Sequence, residues 1–148
     1  MKTRPSAVLG HLPSWLLAHL AQTARAEVGA ALDGLGTSRP EFAILTAVEE
    51  YGPVHQSGVA EISGQDAGDT TRVLNALEAR GWIAREDDPD DRRRKLVTLT
   101  AQGRTTQALL HGAVVEANAR ALALLSQEEQ QQLVEILRTA TGIARQRS

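Results

Sequence analysis

Residues 66–100 read DAGDTTRVLNALEARGWIAREDDPDDRRRKLVTLT, and they predict the architecture of the chain. In the first half, one helix face collects the apolar residues Val73, Leu74 and Leu77. Asp66 is a suitable N-cap residue, and a glycine such as Gly81 commonly ends a helix. We therefore predict a helix between Asp66 and Gly81 whose other face is polar.

The sequence changes its period after this helix. Trp82 and Ile83 open a short strand, and residues 96–100 alternate as a second strand does. Residues 86–94, which read EDDPDDRRR, predict a solvated hairpin tip. A polar-faced helix followed directly by a hairpin with arginines at its tip is typical of a winged helix-turn-helix. Such a helix enters the major groove of DNA, and the hairpin places a cation against the backbone or in the minor groove.

Residues 77–104, which read LEARGWIAREDDPDDRRRKLVTLTAQGR, resemble the signature of the MarR family of bacterial transcription regulators. That signature is a recognition helix ending in Leu-Glu-x-x-Gly, a wing with Asp-Pro-x-Asp-Arg-Arg, and then Leu-Thr-x-x-Gly. The similarity extends more weakly over nearly the whole chain. It implies a mainly α (α+β) fold, with a winged helix-turn-helix core and a two-stranded wing at about residues 38–100. Dimerisation helices at about residues 9–35 and 101–146 would flank this core, all within one domain over residues 1–148.

The composition restricts the classes of function. The chain has 148 residues, which suits one domain, and it has no cysteine, which excludes disulfides, thiolate metal sites and thiol redox sensing. The formal charge of −2 argues against general coating of nucleic acid, but not against a focused basic feature. No apolar run approaches the ~20 residues of a membrane span, so we expect a cytoplasmic protein that does not enter membranes.

The remaining helices have clear start signals. Helical spacing runs from Leu9 to Leu35, and Pro13 either lies in the first turn or kinks the helix. Ser38 and Glu41 form a capping box, and the helix that they begin is stopped at Gly52 and Pro53. Residues 54–63 predict a short helix, and residues 64–65 are the turn of the helix-turn-helix.

The C-terminal part predicts two further helices. Thr100 can cap a long helix that runs to about Leu125, and a capping box at Ser126 begins the last helix. The apolar stripes of the terminal helices have no obvious partner within the chain, which predicts a homodimer and a pseudo-palindromic DNA site. The predicted dimer residues are Leu16, Leu20, Leu133, Leu137 and Ile143.

Polar residues in the first turns of the predicted recognition helix are the candidates for DNA contact. They are Gly68, Asp69, Thr70, Thr71, Arg72 and Asn75. Arg72 could pair with guanine, and Asn75 with adenine or a phosphate. Asp69 is better explained as a cap or a partner for Arg72, because phosphates repel an acid. The alternative is that this face is simply solvated.

The resemblance places the minor-groove arginine of the wing at Arg93, with Asp91 holding its orientation. Arg92, Arg94 and Lys95 would add phosphate contacts. In the helix before the turn, Gln56 and Ser57 are further candidates for DNA contact. The alternative is an ordinary charged hairpin, while a calcium loop is excluded because the required glycine and closing glutamate are missing.

The resemblance also implies a small aromatic or anionic effector, bound between the dimer helices and the winged core. The residues proposed to line such a pocket are His11, Trp15, His19 and Arg39, with Arg25 as an alternative counter-charge. In the competing interpretation, Trp15 packs at the dimer interface and the histidines flank it. The histidine spacing does not suit a metal site, and we expect neither metal nor cofactor.

Two function classes compete with a regulator of transcription. An enzyme is not expected, because the sequence has no nucleophile motif and no phosphate-binding glycine loop. A winged helix used only for protein–protein contact is the second alternative, although such wings need no arginine cluster. A regulator that binds DNA without any ligand also remains open.

Overall fold

The computed structural model describes residues 6–143, which form α-helices and a small antiparallel sheet. A short 3-10 helix covers Leu9–His11. The α-helices are α1 (Pro13–Asp33), α2 (Arg39–Tyr51), α3 (Gln56–Ser63), α4 (Ala67–Ala79), α5 (Ala101–Ala121) and α6 (Gln127–Thr141). The strands are β1 (Val54–His55), β2 (Ile83–Asp87) and β3 (Lys95–Leu99). The mainly α architecture and the β2–β3 wing confirm the predicted fold class.

The helices begin where the sequence provides caps. Leu12 is extended and Pro13 is the first residue of α1, so the helix begins at the proline and is not kinked by it. The predicted capping box of α2 is present, with the Ser38 hydroxyl accepting from the Glu41 amide at 3.3 Å. The Glu41 carboxylate accepts from the Ser38 amide at 2.8 Å in return. Ser126 forms an equivalent box at the start of α6.

Two predicted helix boundaries were wrong. Val54–His55 is a strand, not the start of a helix, and it pairs antiparallel with β3, with Val54 opposite Val97. The free edge of β3 satisfies the backbone groups of this segment, and the sheet order becomes β1-β3-β2. The long C-terminal helix ends at Ala121 rather than Leu125, because the chain must turn before Ser126 can cap α6. Residues 144–146 of the predicted last helix lie outside the described residues.

The core lies between the wing sheet and the helices α1, α2, α4 and α5. As predicted, α4 buries Val73, Leu74 and Leu77. These residues join a cluster that includes Leu32, Ile44, Leu45, Val59, Val97 and Leu110. Trp82, at the junction of α4 and β2, is also buried, and the Arg80 guanidinium lies 3.8 Å from the centre of its ring. The recognition helix is therefore anchored along one face, and its opposite face is available.

Apolar surface remains exposed at both ends of the described chain. No residue of α6 is buried. Leu16 on α1 is 45% exposed, and Ile136 on α6 is 64% exposed. Of the predicted dimer residues, Leu20, Leu133 and Leu137 are partly buried, while Ile143 lies beyond the end of α6 and is exposed. Among residues 6–143, no helix combines the length and apolar character of a membrane span.

Candidate nucleic-acid interface

Three elements converge on one concave surface. A cleft of about 390 Å³ opens between α3, α4 and the wing, and we name it the interface cleft. It is lined by Gln56, Ser57, Ala60, Ala67, Thr70, Thr71, Arg93, Arg94 and Lys95. The fold therefore brings together predicted residues from the helix before the turn, the recognition helix and the wing.

The N-terminus of α4 is held by its predicted cap. Asp66 accepts a hydrogen bond from the Gly68 amide at 2.8 Å. Gly68, Thr71, Arg72 and Asn75 are exposed, as contact with DNA requires. Asp69 forms an ion pair with Arg72 at 3.6 Å, which agrees with the predicted partnership. Both side chains are well exposed, so the pair is weak and DNA can break it at little cost.

Thr70 lines the interface cleft, but its side chain is mostly covered by the protein. Thr70 is buried, and its hydroxyl donates to the Asp66 carbonyl at 2.7 Å. Thr70 comes three residues before Val73 and four before Leu74, so it lies on the same, packed face of α4 as these two residues. A contact between Thr70 and DNA stays a prediction.

At the tip of the wing, Arg93 is held by Asp91. The Asp91 carboxylate accepts from both the backbone amide and the Nε of Arg93, each at 3.2 Å. The Arg93 side chain is nevertheless 92% exposed, so the guanidinium projects into solvent. Arg92 and Arg94 are exposed as well, while Lys95 forms an ion pair with Asp87 across the wing. The predicted contact between Asp91 and Arg93 is confirmed, and its role on DNA stays a prediction.

The predicted solvated tip is wrong at Asp88, which is buried. Its carboxylate accepts from His55 Nε2 at 2.6 Å and from the Asp90 amide at 2.9 Å. Its own amide donates to the Arg94 carbonyl at 2.9 Å, which closes the wing loop. The hydrogen bond from His55, with the Asp90 amide, holds the pKa of the Asp88 carboxyl below its ordinary range. An aspartate that accepts from the amide two residues on is a known turn signal and could have predicted this loop.

We expect His55→Ala to loosen the wing, because Asp88 would lose its side-chain partner. Amide hydrogen exchange at Asp88 and Asp90 should become several-fold faster in this variant. His111→Ala on α5, which removes an exposed histidine, is the control and should leave both amides unchanged. Folding lowers the pKa of the Asp88 carboxyl. The stability that this ionised carboxyl gives to the folded protein is therefore fully present above its ordinary pKa of 3.8 and is lost as the pH falls further. Equal exchange rates in the two variants at pH 7 would contradict a role for His55 in the wing.

Sequence reasoning missed Arg85, which connects three elements. Its Nη2 donates to Asn75 Oδ1 at 2.7 Å, and its Nη1 donates to Gln56 Oε1 at 3.4 Å. Its Nε and Nη2 donate to the two carboxylate oxygens of Glu78 at 3.0 and 2.9 Å. These bonds lower the pKa of Glu78 and raise the pKa of Arg85. The alternation of side chains along β2 could have predicted this position. Arg85 comes two residues after the buried Ile83, so it points to the same side of the strand, toward α4.

The predicted ligand residues fall into two groups. Arg25 and Arg39 lie together in a second cleft of about 480 Å³, which we name the α1–α2 cleft. Its other lining residues are Gly29, Leu32, Asp33, Ser38, Pro40 and Gln65. His11, Trp15 and His19 do not line it, so the described chain holds these three residues apart from the two arginines. A shared pocket at a subunit interface stays a prediction.

The separation of the two groups follows from the start of α1. His11 lies in the short 3-10 helix before Pro13, so it does not share one continuous helix with Trp15 and His19. Trp15 and His19 stack with ring centroids 4.0 Å apart, in the first turns of the helix. Arg25 is ten residues after Trp15, a distance of about 15 Å along a helix. Within residues 6–143, no group of three or more histidine, aspartate or glutamate side chains could hold a metal ion.

Comparison with known proteins places this geometry in context. A family model described as the MarR family matches residues 37–95. The HTH-type transcriptional repressor Mb2911 of Mycobacterium bovis is 31% identical over 123 residues, which are 83% of this chain and 88% of that repressor. The region matched by the family model contains every residue that lines the interface cleft.

Solved structures share the fold. A probable transcriptional regulator from Pseudomonas aeruginosa is 32% identical, with a TM-score of 0.77 over 89% of this chain and 98% of that chain. The MarR family protein RV2887 of Mycobacterium tuberculosis, in complex with p-aminosalicylic acid, is 28% identical. Its TM-score is 0.73 over 88% of this chain and 98% of that chain. The likeness therefore extends beyond the winged core to the flanking helices.

Proposed function

This chain belongs to the MarR family of transcriptional regulators, and we propose that it binds duplex DNA through the interface cleft as a repressor. The observation that carries the proposal is the convergence of Gln56, Thr71 and Arg93, from three separate elements, on that cleft. The major groove is about 12 Å wide and admits one helix, which α4 provides with its exposed face. The exposed Arg93 then lies where a wing would meet the backbone or the minor groove.

The net charge of −2 means that the chain as a whole does not attract DNA. Binding therefore depends on the local cations of the wing and on the recognition helix. Selection of bound DNA from a pool of random duplexes tests the proposal directly. We expect an enriched sequence of two related half-sites, about one helical turn apart from centre to centre. Recovery of unenriched DNA after repeated rounds would contradict sequence-specific binding.

We infer a homodimer, supported by the exposed apolar surface of α1 and α6. Ile136 is 64% exposed on a helix that buries none of its residues, and such a surface calls for a partner. Sedimentation at micromolar concentration should give twice the chain mass. Ile136→Glu should give a monomer and weaken operator binding at least tenfold, while the matched variant Ile136→Leu should remain dimeric. A monomer that still binds its operator tightly would refute the dimer.

The stacked Trp15 and His19 rings fit this dimer surface better than a ligand site. They lie on the N-terminal half of α1, near the exposed Leu16 and Leu17. We therefore assign them, with His11, to the surface between subunits.

We further propose that an aromatic carboxylate binds in the α1–α2 cleft and weakens the hold on DNA. The support is the pair Arg25 and Arg39 beside apolar Leu32 and Pro40, which suits a flat anion. The relative RV2887, solved with p-aminosalicylic acid, points to the same ligand class. A ligand that weakens DNA binding must itself bind DNA-bound protein more weakly by the same factor.

Salicylate is a suitable probe for this site. We expect Arg39→Gln to raise the salicylate concentration needed for half release of DNA by roughly tenfold, since a charge-assisted hydrogen bond is lost. DNA affinity without salicylate should change less than twofold. Arg120→Gln, which removes a cation paired with Glu27 on α1 outside the cleft, is the control. Fluorescence anisotropy of labelled DNA measures both quantities, and an equal response of the two variants would contradict the assignment.

A further inference from the structure

The side-chain oxygen of Asn75, on the exposed face of α4, is already engaged within the protein. Arg85 Nη2 donates to Asn75 Oδ1 at 2.7 Å. A guanidinium has donors only, so the atom that faces it must be the amide oxygen. The usual ambiguity between the oxygen and nitrogen of an asparagine is therefore resolved by its partner. The NH2 group of Asn75 points away from Arg85.

Arg85 is held firmly enough to keep this arrangement. Two of its nitrogens bind the two carboxylate oxygens of Glu78 at 3.0 and 2.9 Å, in the bidentate geometry that fixes a guanidinium plane. Its side chain is only 18% exposed. The hydrogen bond from Arg85 also lowers the pKa of Glu78, so this carboxylate stays charged at neutral pH.

Asn75 lies on the surface assigned to DNA. It follows Thr71 by four residues, so the two side chains share one face of α4, and Thr71 lines the interface cleft. Gln56, which accepts from the Nη1 of Arg85, lines the same cleft. Arg85 is thus covered by the protein and donates hydrogen bonds to two side chains of the contact surface, Asn75 and Gln56.

We propose that Arg85 is a specificity-determining residue, which holds the oxygen of Asn75 so that Asn75 selects guanine over adenine in the major groove. The paired contact of asparagine with adenine needs the oxygen to accept from N6 while the NH2 group donates to N7. An amide that presents only its NH2 group meets two acceptors, N7 and O6, on guanine. On adenine it meets the N6 donor beside N7. This inference rests on the proposed binding of duplex DNA.

The test is selection of bound sequences from random duplexes by the full chain and its variants. Asn75→Ala identifies the relevant base pair, because preference should vanish at one position in each half-site. There the unaltered chain should favour guanine over adenine by roughly fivefold, the lower end of discrimination by a direct base contact. Arg85→Met frees the Asn75 oxygen and should shift the preference to adenine. Glu78→Gln keeps an acceptor beside Arg85 and is the control, which should still select guanine.

Asn75→Asp gives a second readout that does not depend on removing Arg85. One carboxylate oxygen keeps the bond to Arg85, and the other replaces the outward NH2 group with an acceptor. The preference should then move to cytosine, whose N4 amine donates. If Arg85→Met does not fold, the base that the unaltered chain prefers at the position identified by Asn75→Ala decides the matter, because an Asn75 amide that is not held by Arg85 would select adenine.

Several outcomes would overturn the proposal. The unaltered chain could prefer adenine at this position, or guanine could still be selected by Asn75→Asp. An equal loss of affinity for all sequences in Asn75→Ala would mean that Asn75 binds phosphate. Failure of the unaltered chain to enrich any sequence would instead count against DNA binding itself.

Discussion

Gly103→Ala is expected to lower the free energy of unfolding by about 3 kcal/mol, although it adds one methyl group. Gly103 is buried in the first turn of α5, where its amide donates to the Thr100 hydroxyl at 3.0 Å. A Cβ atom there would lie 1.9 Å from the carbonyl oxygen of Trp82. That oxygen accepts from the Thr100 amide at 3.1 Å, so the obstacle is a bonded backbone group that cannot rotate away. Either α5 or the start of the wing must move.

Gly112→Ala is the matched control, since it adds the same methyl group to the same helix. Apart from the neighbouring backbone of α5 itself, no atom lies within 4 Å of the position that a Cβ would take at Gly112. Alanine should therefore stabilise the helix by up to about 1 kcal/mol through its higher propensity. Urea unfolding of both variants measures the contrast as opposite shifts of the midpoint. Identical midpoints would show that the junction between Trp82 and α5 tolerates change, contrary to its geometry.

Arg93→Ala should weaken binding to every duplex, specific or not, and should reduce its dependence on salt. A guanidinium gains from the strong negative potential of a narrow minor groove and releases condensed counterions. With one arginine lost from each subunit of a dimer, the log–log salt slope should shrink by up to about 2, at ~0.9 per phosphate neutralised. Anisotropy titrations at several salt concentrations, on operator and scrambled DNA, measure both effects.

Arg72→Ala provides the contrast within the same interface. If Arg72 reads a guanine, its loss should cost roughly 1–3 kcal/mol per half-site and relax the preference at that base pair alone. Both variants should remain folded, because neither side chain belongs to the core and the ion pairs with Asp69 and Asp91 are exposed. Unchanged affinity and slope in Arg93→Ala would mean that the wing does not touch DNA.

The features that the sequence predicted well are those set by near neighbours. The capping boxes at Ser38 and Ser126 and the hold of Asp91 on Arg93 each involve residues no more than three positions apart. Local geometry is enough to create such contacts, so residue type and spacing reveal them. The buried face of α4 was predicted for the same reason.

The features that were missed depend on folding at long range. His55 and Asp88 are 33 residues apart, and Arg85 and Gln56 are 29 apart. Only the pairing of β1 and β2 with β3 brings them together, and no local pattern of residues encodes that pairing.

Strand β3 pairs with β1 on one side and with β2 on the other, and β1 continues directly into α3. We therefore expect the wing and the helix-turn-helix to move together, so that a dimer would alter its affinity for DNA by altering the distance and angle between two such units. One added base pair moves a half-site by about 3.4 Å and rotates it by roughly 35° around the duplex. Operator spacing and ligand would then both act on the relative position of the two DNA-binding units. A saturating ligand should therefore change the number of base pairs between the half-sites that gives the tightest binding.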